Sequence, residues 1–86
     1  MTTDDDAYYI AQDLPIALVE LGLGAREDIE KLDDGSYQVT CAKGINHVTV
    51  APDCTVSVTG PEAEYLRDSL PEHIGLEVRV VEGGAR

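Results

Sequence analysis

Four side chains in this chain carry the sulfur or imidazole donors suited to zinc or to redox chemistry: Cys41, His47, Cys54 and His73. Zinc needs ligands that converge tetrahedrally, and its sites usually draw them from close pairs such as cysteines two to four residues apart. No such pair occurs here, because the stretch CAKGINHVTVAPDC sets its cysteines at the two ends, with His47 between them. A serine-histidine-acid triad would bring its members together in space, and no nucleophile-elbow motif marks a serine for that role. The residues that could do chemistry therefore depend on the elements that place them.

Those elements are legible from periodicity. Thr2 to Leu23 reads as helical, with Asp4, Asp5 and Asp6 where a first turn favours negative charge. Ile10, Leu14, Ala17, Leu18 and Leu21 recur at helical spacing. Pro15 predicts a kink, or a second helix capped by Asp13, and Gly22 or Gly24 predicts the end. The segment Leu14 to Leu23 is apolar on nearly every side, so it is either sunk in the domain or shared with a partner chain.

From Glu27 to Thr59 the period changes to two. Asp33-Asp34-Gly35 predicts a three-residue hairpin loop that pairs Leu32 with Ser36 and Ile29 with Val39. Gly44-Ile45 suits a two-residue turn, which would set Cys41 opposite Val48 and Val39 opposite Val50. A loop of Pro52 to Cys54 keeps Val56 and Val58 on the face of Val48 and Val50. The other face then reads Gln38, Thr40, His47, Thr49, Thr55, Ser57 and Thr59, as expected of a sheet wet on one side. In this register Cys41 points into the core and His47 away from it. The cysteines also fall too far apart for a disulfide, which needs Cα atoms within about 7 Å.

Gly60-Pro61-Glu62 predicts a helix start with Pro61 in the first helical position, Ala63, Leu66 and Leu70 as its buried stripe, and Pro71 as its stop. A last strand spans Leu76 to Val81, and residues 82–86 read as a frayed tail. The fold class is α+β: a mainly antiparallel sheet in the order α-β-β-β-β-α-β with helices packed on one face, in a single small domain over 1–86.

Asp68-Ser69-Leu70 resembles the phosphopantetheine attachment motif of acyl carrier proteins, over those three residues alone. In that family the serine opens the second helix of an all-helical bundle. Here it closes a helix that follows a sheet, so Ser69 reads as an ordinary helix residue. Gly22-Leu23-Gly24 follows a helix rather than a strand and lacks the third glycine of a dinucleotide fingerprint.

The dominant compositional signal is charge: 17 acidic residues against 6 basic, a formal net of −11. Such a surface repels nucleic-acid phosphates and anionic lipid and attracts basic proteins. Glu27, Asp28, Glu30, Asp33 and Asp34 cluster along the first strand and its turn; Glu62, Glu64, Asp68 and Glu72 line the second helix. Carboxylates so spaced on a rigid scaffold can imitate a phosphate track. The expectation is a small, non-enzymatic, cytoplasmic interaction domain that binds and regulates a basic, nucleic-acid-binding protein. It carries no cofactor or metal, touches neither nucleic acid nor membrane directly, and self-associates through Leu14, Leu18 and Leu21. The alternative is a structural or assembly domain whose acidity suits a salt-rich cytoplasm, consistent with only two lysines, Lys31 and Lys43. A metal protein or enzyme comes third.

Overall fold

The computed structural model describes residues 3–26 and 28–81, for residues 3–5 the backbone alone. Seven elements follow in the expected order: α1 (Thr3–Glu20), β1 (Ile29–Lys31), β2 (Tyr37–Thr40), β3 (His47–Val50), β4 (Val56–Thr59), α2 (Ala63–Ile74) and β5 (Val78–Val80). The strands form one five-stranded sheet in sequential order. The first four pair antiparallel, and β4 pairs parallel with β5. That parallel step is possible because α2 serves as the crossover between its strands. The tail expected at 82–86 lies outside the described residues.

Alternation decides which side of the sheet is dry. Val39, Val48, Val50, Val56, Val58 and Val78 are buried, and their neighbours along each strand are half-buried or exposed. α1 packs over β2 and β3, and α2 over β4 and β5, with the helices also in contact. Ala7, Ala11, Leu14, Ala17 and Leu18 of α1 and Ala63, Leu66 and Leu70 of α2 complete the core. Small alanines let α1 lie close to the sheet, and the leucines fill the space between the layers.

Both internal prolines behave differently from expectation. α1 runs unbroken through Pro15, and α2 runs through Pro71 to Ile74. Each proline removes one helical hydrogen bond, at a cost of about 3 kcal/mol. Full burial of a leucine returns about 1.5–3 kcal/mol, and Leu14, Leu18 and Leu70 are all wholly buried beside these prolines. Packing therefore outweighs the local break. At its start, α2 begins two residues later than expected: Pro61 lies in the preceding turn and Glu62 is the N-cap. α1 ends in a Schellman-type motif, with Gly22 at φ 87° and the Leu23 amide donating to the Leu18 carbonyl at 3.0 Å.

The first hairpin has the expected register, Ile29 opposite Val39, with the Leu32 amide donating to Ser36 O. The third also closes as expected, with the Ala51 amide donating to Thr55 O at 2.8 Å across Pro52-Asp53-Cys54. The second is shifted. Val39 faces Val48, Tyr37 faces Val50, and the Cys41 amide donates to Asn46 O at 2.9 Å. The loop is therefore Ala42 to Ile45 rather than Gly44-Ile45, closed by the Gly44 amide on Cys41 O at 2.8 Å. A shift of two residues leaves every side chain on its original face, so hydrophobic patterning cannot distinguish the registers.

Candidate functional site

The acidic residues are the first candidates, and the fold divides them. Asp28 and Glu30 are exposed at the β1 edge, and Asp33 and Asp34 are exposed in the turn that follows. Glu27 lies outside the described residues. Glu64, Asp68 and Glu72 are exposed on α2. β1 is the first strand of the sheet, whereas α2 covers β4 and β5. With strands about 4.8 Å apart, β1 lies about 14 Å from β4 and 19 Å from β5. Glu30 also points to the face opposite the helices. The two groups therefore do not form one continuous track.

Several members are committed to internal work. Asp34 Oδ1 accepts from the Ser36 amide at 2.9 Å, and Asp53 Oδ1 does the same for Thr55 at 3.0 Å. Hydrogen bonds stabilise both charged carboxylates and hold their pKa values below the ordinary range, from the Ser36 amide first for Asp34 and from the Thr55 side chain ahead of its amide for Asp53. Glu62 is half-buried and clamped to Asn46. The Asn46 Nδ2 group donates to Glu62 Oε1 at 2.7 Å, and the Glu62 amide donates to Asn46 Oδ1 at 3.0 Å. Glu62 thus fastens the β2–β3 loop to the start of α2 instead of facing a partner. Asp68 pairs with Arg67 Nε at 3.1 Å on the surface, where such pairs contribute little. Around β1, Arg26 stands with Asp28, Glu30 and Thr40 about an open depression, so a cation interrupts that acidic group.

The leucines expected to form a dimer interface require correction. Leu14 and Leu18 are fully buried in the protomer's own core, and Leu21 is half-buried against it. What α1 leaves outside is a different apolar set: Tyr9, Ile16 and Val19 are each more than 60% exposed. Both faces of this helix are apolar. The signal in the sequence was the second stripe, seven residues apart, which a search for one core face passes over.

The potential metal and redox residues stay separate. Cys41 is buried in the core, Cys54 lies in the β3–β4 loop, and both are free thiols. Burial, then the Glu62 charge, pushes the Cys41 thiol pKa up; burial, then Asp6 and Asp53, does the same for Cys54. Raised values disfavour the thiolate that nucleophilic or redox chemistry uses. His47 lies on the wet face with its Nδ1 3.1 Å from Thr40 Oγ1, and His73 Nδ1 meets Glu20 Oε1 at 3.0 Å. Among the described residues, no three His, Cys, Asp or Glu side chains converge as metal ligands would.

The wet sheet face carries a single row across all strands: Glu30, Gln38, Thr49, Ser57 and Arg79. Its polar groups partly satisfy each other, with Gln38 Nε2 donating to Thr49 Oγ1 at 3.5 Å. No protein-family model, curated protein or solved structure matches this chain. Among the described residues, no helix is long and apolar enough to cross a membrane.

Proposed function

We infer that this chain is a non-enzymatic protein-interaction domain whose partner is a basic protein. The observation that carries the reading is the outward face of α2, where Glu64, Asp68 and Glu72 stand exposed at successive fourth positions. Helical rise sets them about 6 Å apart along the axis, in a row that slants by about 40° per step around the helix, an arrangement in which carboxylates can meet a basic groove as phosphates do. The β1 edge, with Asp28 and Glu30 beside Arg26, is a separate and smaller acidic patch, and on α2 Arg67 likewise pairs with Asp68. A regulatory role fits this chemistry, because an acidic domain seated in a nucleic-acid groove excludes the nucleic acid.

The test is binding to a basic nucleic-acid-binding protein from the native host, followed across ionic strength. Affinity should fall as salt rises, and Glu64→Gln, Asp68→Asn and Glu72→Gln together should weaken it more than Asp28→Asn with Glu30→Gln. Affinity indifferent to salt counts against the reading. A second reading, a structural or assembly domain adapted to a salt-rich cytoplasm, is favoured by the wide spread of exposed carboxylates. Asp6, Asp13 and Glu20 on α1, Asp53 in a loop and Glu77 before β5 all face solvent. A domain of that kind binds no basic protein at any ionic strength, and its fold depends on molar salt rather than gaining only a few degrees of melting midpoint from screening.

A further inference from the structure

The outward side of α1 is ordered as a seam. Tyr9 and Ile16 stand seven residues apart, and so do Gln12 and Val19; all four are exposed. In heptad terms these are two successive a and d pairs, the positions that take a neighbouring helix. They lie opposite Ala7, Ala11, Leu14 and Leu18, which face the core. Helical geometry makes the two faces about half a turn apart. Beside the seam, on one flank, run Asp6, Asp13 and Glu20, again seven apart and all exposed. The opposite flank holds Tyr8 and Pro15, neither of them charged.

From this arrangement we propose that the outward face of α1 seats an amphipathic helix of the basic partner, with lysine or arginine flanking that helix's own apolar seam. The proposal rests on the reading of the domain as a binder of basic proteins and adds the place and the form of the contact. The apolar seam supplies desolvation, and tyrosine suits an interface because its ring is apolar and its hydroxyl remains wet. The acidic flank selects the sign of the partner's charge and its orientation. A second copy of this chain does not fit. Laid antiparallel it sets acidic flank against acidic flank, and laid parallel it offers Tyr8 and Pro15 where a cation is needed. Glu20 is already shared with His73, which leaves Asp6 and Asp13 as the main charge contacts.

The probe is a synthetic amphipathic helix with leucine at its seam and lysine at the flanking positions, titrated into the full chain by fluorescence anisotropy. Two control peptides are the same composition scrambled and the same seam with glutamate flanks. The lysine-flanked helix should bind, the glutamate-flanked one should not, and the scrambled one should bind about tenfold or more weakly. Ile16→Ser with Val19→Ser should weaken binding by about tenfold or more. Both residues point away from the core, so an unchanged circular dichroism spectrum and melting curve show that the fold survives. Asp13→Lys should weaken the lysine peptide and strengthen the glutamate peptide. Equal binding of ordered and scrambled basic peptides, lost on neutralising Glu64, Asp68 and Glu72, overturns the seam and leaves the wider reading standing. No binding of either basic peptide overturns the seam, and the wider reading is then decided by the salt-dependent binding of a basic host protein. A dimer in sedimentation that Ile16→Asp converts to monomer also overturns the proposal, since a second copy then occupies the seam.

Discussion

Cys54 carries a backbone conformation that its counterpart in the first hairpin assigns to glycine. Its φ is 71°, the positive value of a non-glycine residue among the described residues, and it closes Pro52-Asp53-Cys54 as Gly35, at φ 91°, closes Asp33-Asp34-Gly35. The left-handed region costs an ordinary residue about 1–2 kcal/mol, while glycine loses about 0.5–1 kcal/mol in extra chain entropy. Cys54→Gly should therefore stabilise the domain by up to about 1 kcal/mol, read as a higher midpoint in thermal unfolding. A lower midpoint would mean that packing of the thiol outweighs the strain. The same two loops share an aspartate that caps the amide two residues on, Asp34 in one and Asp53 in the other. Both folded-state pKa values are lowered, so each cap contributes stability above the unfolded value of about 3.9 and loses it as pH falls through the folded value. Acid also relieves repulsion across a chain of net charge −11, so wild type alone mixes the two effects. The difference between wild type and Asp34→Asn/Asp53→Asn isolates the caps, because an asparagine side chain still accepts the hydrogen bond without titrating. That difference should favour wild type near neutral pH and shrink below about pH 4. A constant difference across the acid range removes the caps from the pH response.

Between elements, the Asn46–Glu62 clamp is the contact that the sequence concealed most completely. Asn46 is 1% exposed, yet an asparagine after a glycine turn reads as loop surface. Its burial depends on a glutamate sixteen residues away, and only the folded chain brings the two together. The neighbouring Gly60 sits at φ 121°, and a Cβ there would overlap Asn46 Oδ1 and the Ile45 carbonyl oxygen. Glu62→Ala leaves the buried Asn46 amide without its acceptor and should cost about 1–3 kcal/mol. Glu62→Gln retains an oxygen acceptor and should cost clearly less. Gly60→Ala should cost about 2–3 kcal/mol through both strain and overlap. Urea unfolding of the three variants checks the order, and equal losses for Glu62→Ala and Glu62→Gln would mean that charge rather than the hydrogen bond holds the clamp. The element order, the dry face of the sheet and the α2 stripe Ala63, Leu66 and Leu70 were legible, because each follows from a period of 2 or 3.6. The β2–β3 register was not, since a two-residue shift preserves that period. The exposed seam of α1 was half legible. Apolarity on both faces was evident from Leu14 to Leu23, but which leucines face inward depends on where the sheet lies. The candidate acidic surface was readable as charge and not as geometry, and Glu62 left the set once its side chain had an internal partner.

At the scale of the whole molecule, the distribution of charge decides how the domain responds to its surroundings. The principal extents are 34 × 30 × 23 Å, and exposed carboxylates occur on both helices, the β1 edge and the hairpin loops. Two carboxylates about 8 Å apart repel by about 0.5 kcal/mol in water before screening. Many such neighbours, against a stability of about 5–15 kcal/mol for small domains, make repulsion a sizeable fraction of the balance. Screening removes it in steps: the Debye length is about 10 Å at 0.1 M salt and about 3 Å at 1 M. Neighbouring carboxylates therefore still repel at the lower concentration and hardly at all at the higher. The thermal midpoint of the isolated domain should rise between these conditions by at least about 5 °C, the shift that about 1 kcal/mol gives in a chain this size. Neutralising Asp28, Glu30, Glu64, Asp68 and Glu72 to their amides should raise the midpoint at 0.1 M and shrink the salt-dependent increment. A general salting-out effect on apolar surface would instead leave the increment unchanged in that variant. A wild-type midpoint that is the same at both concentrations would mean that the carboxylates are spaced widely enough not to oppose folding. In that case their number reflects what the surface meets rather than what the fold must overcome.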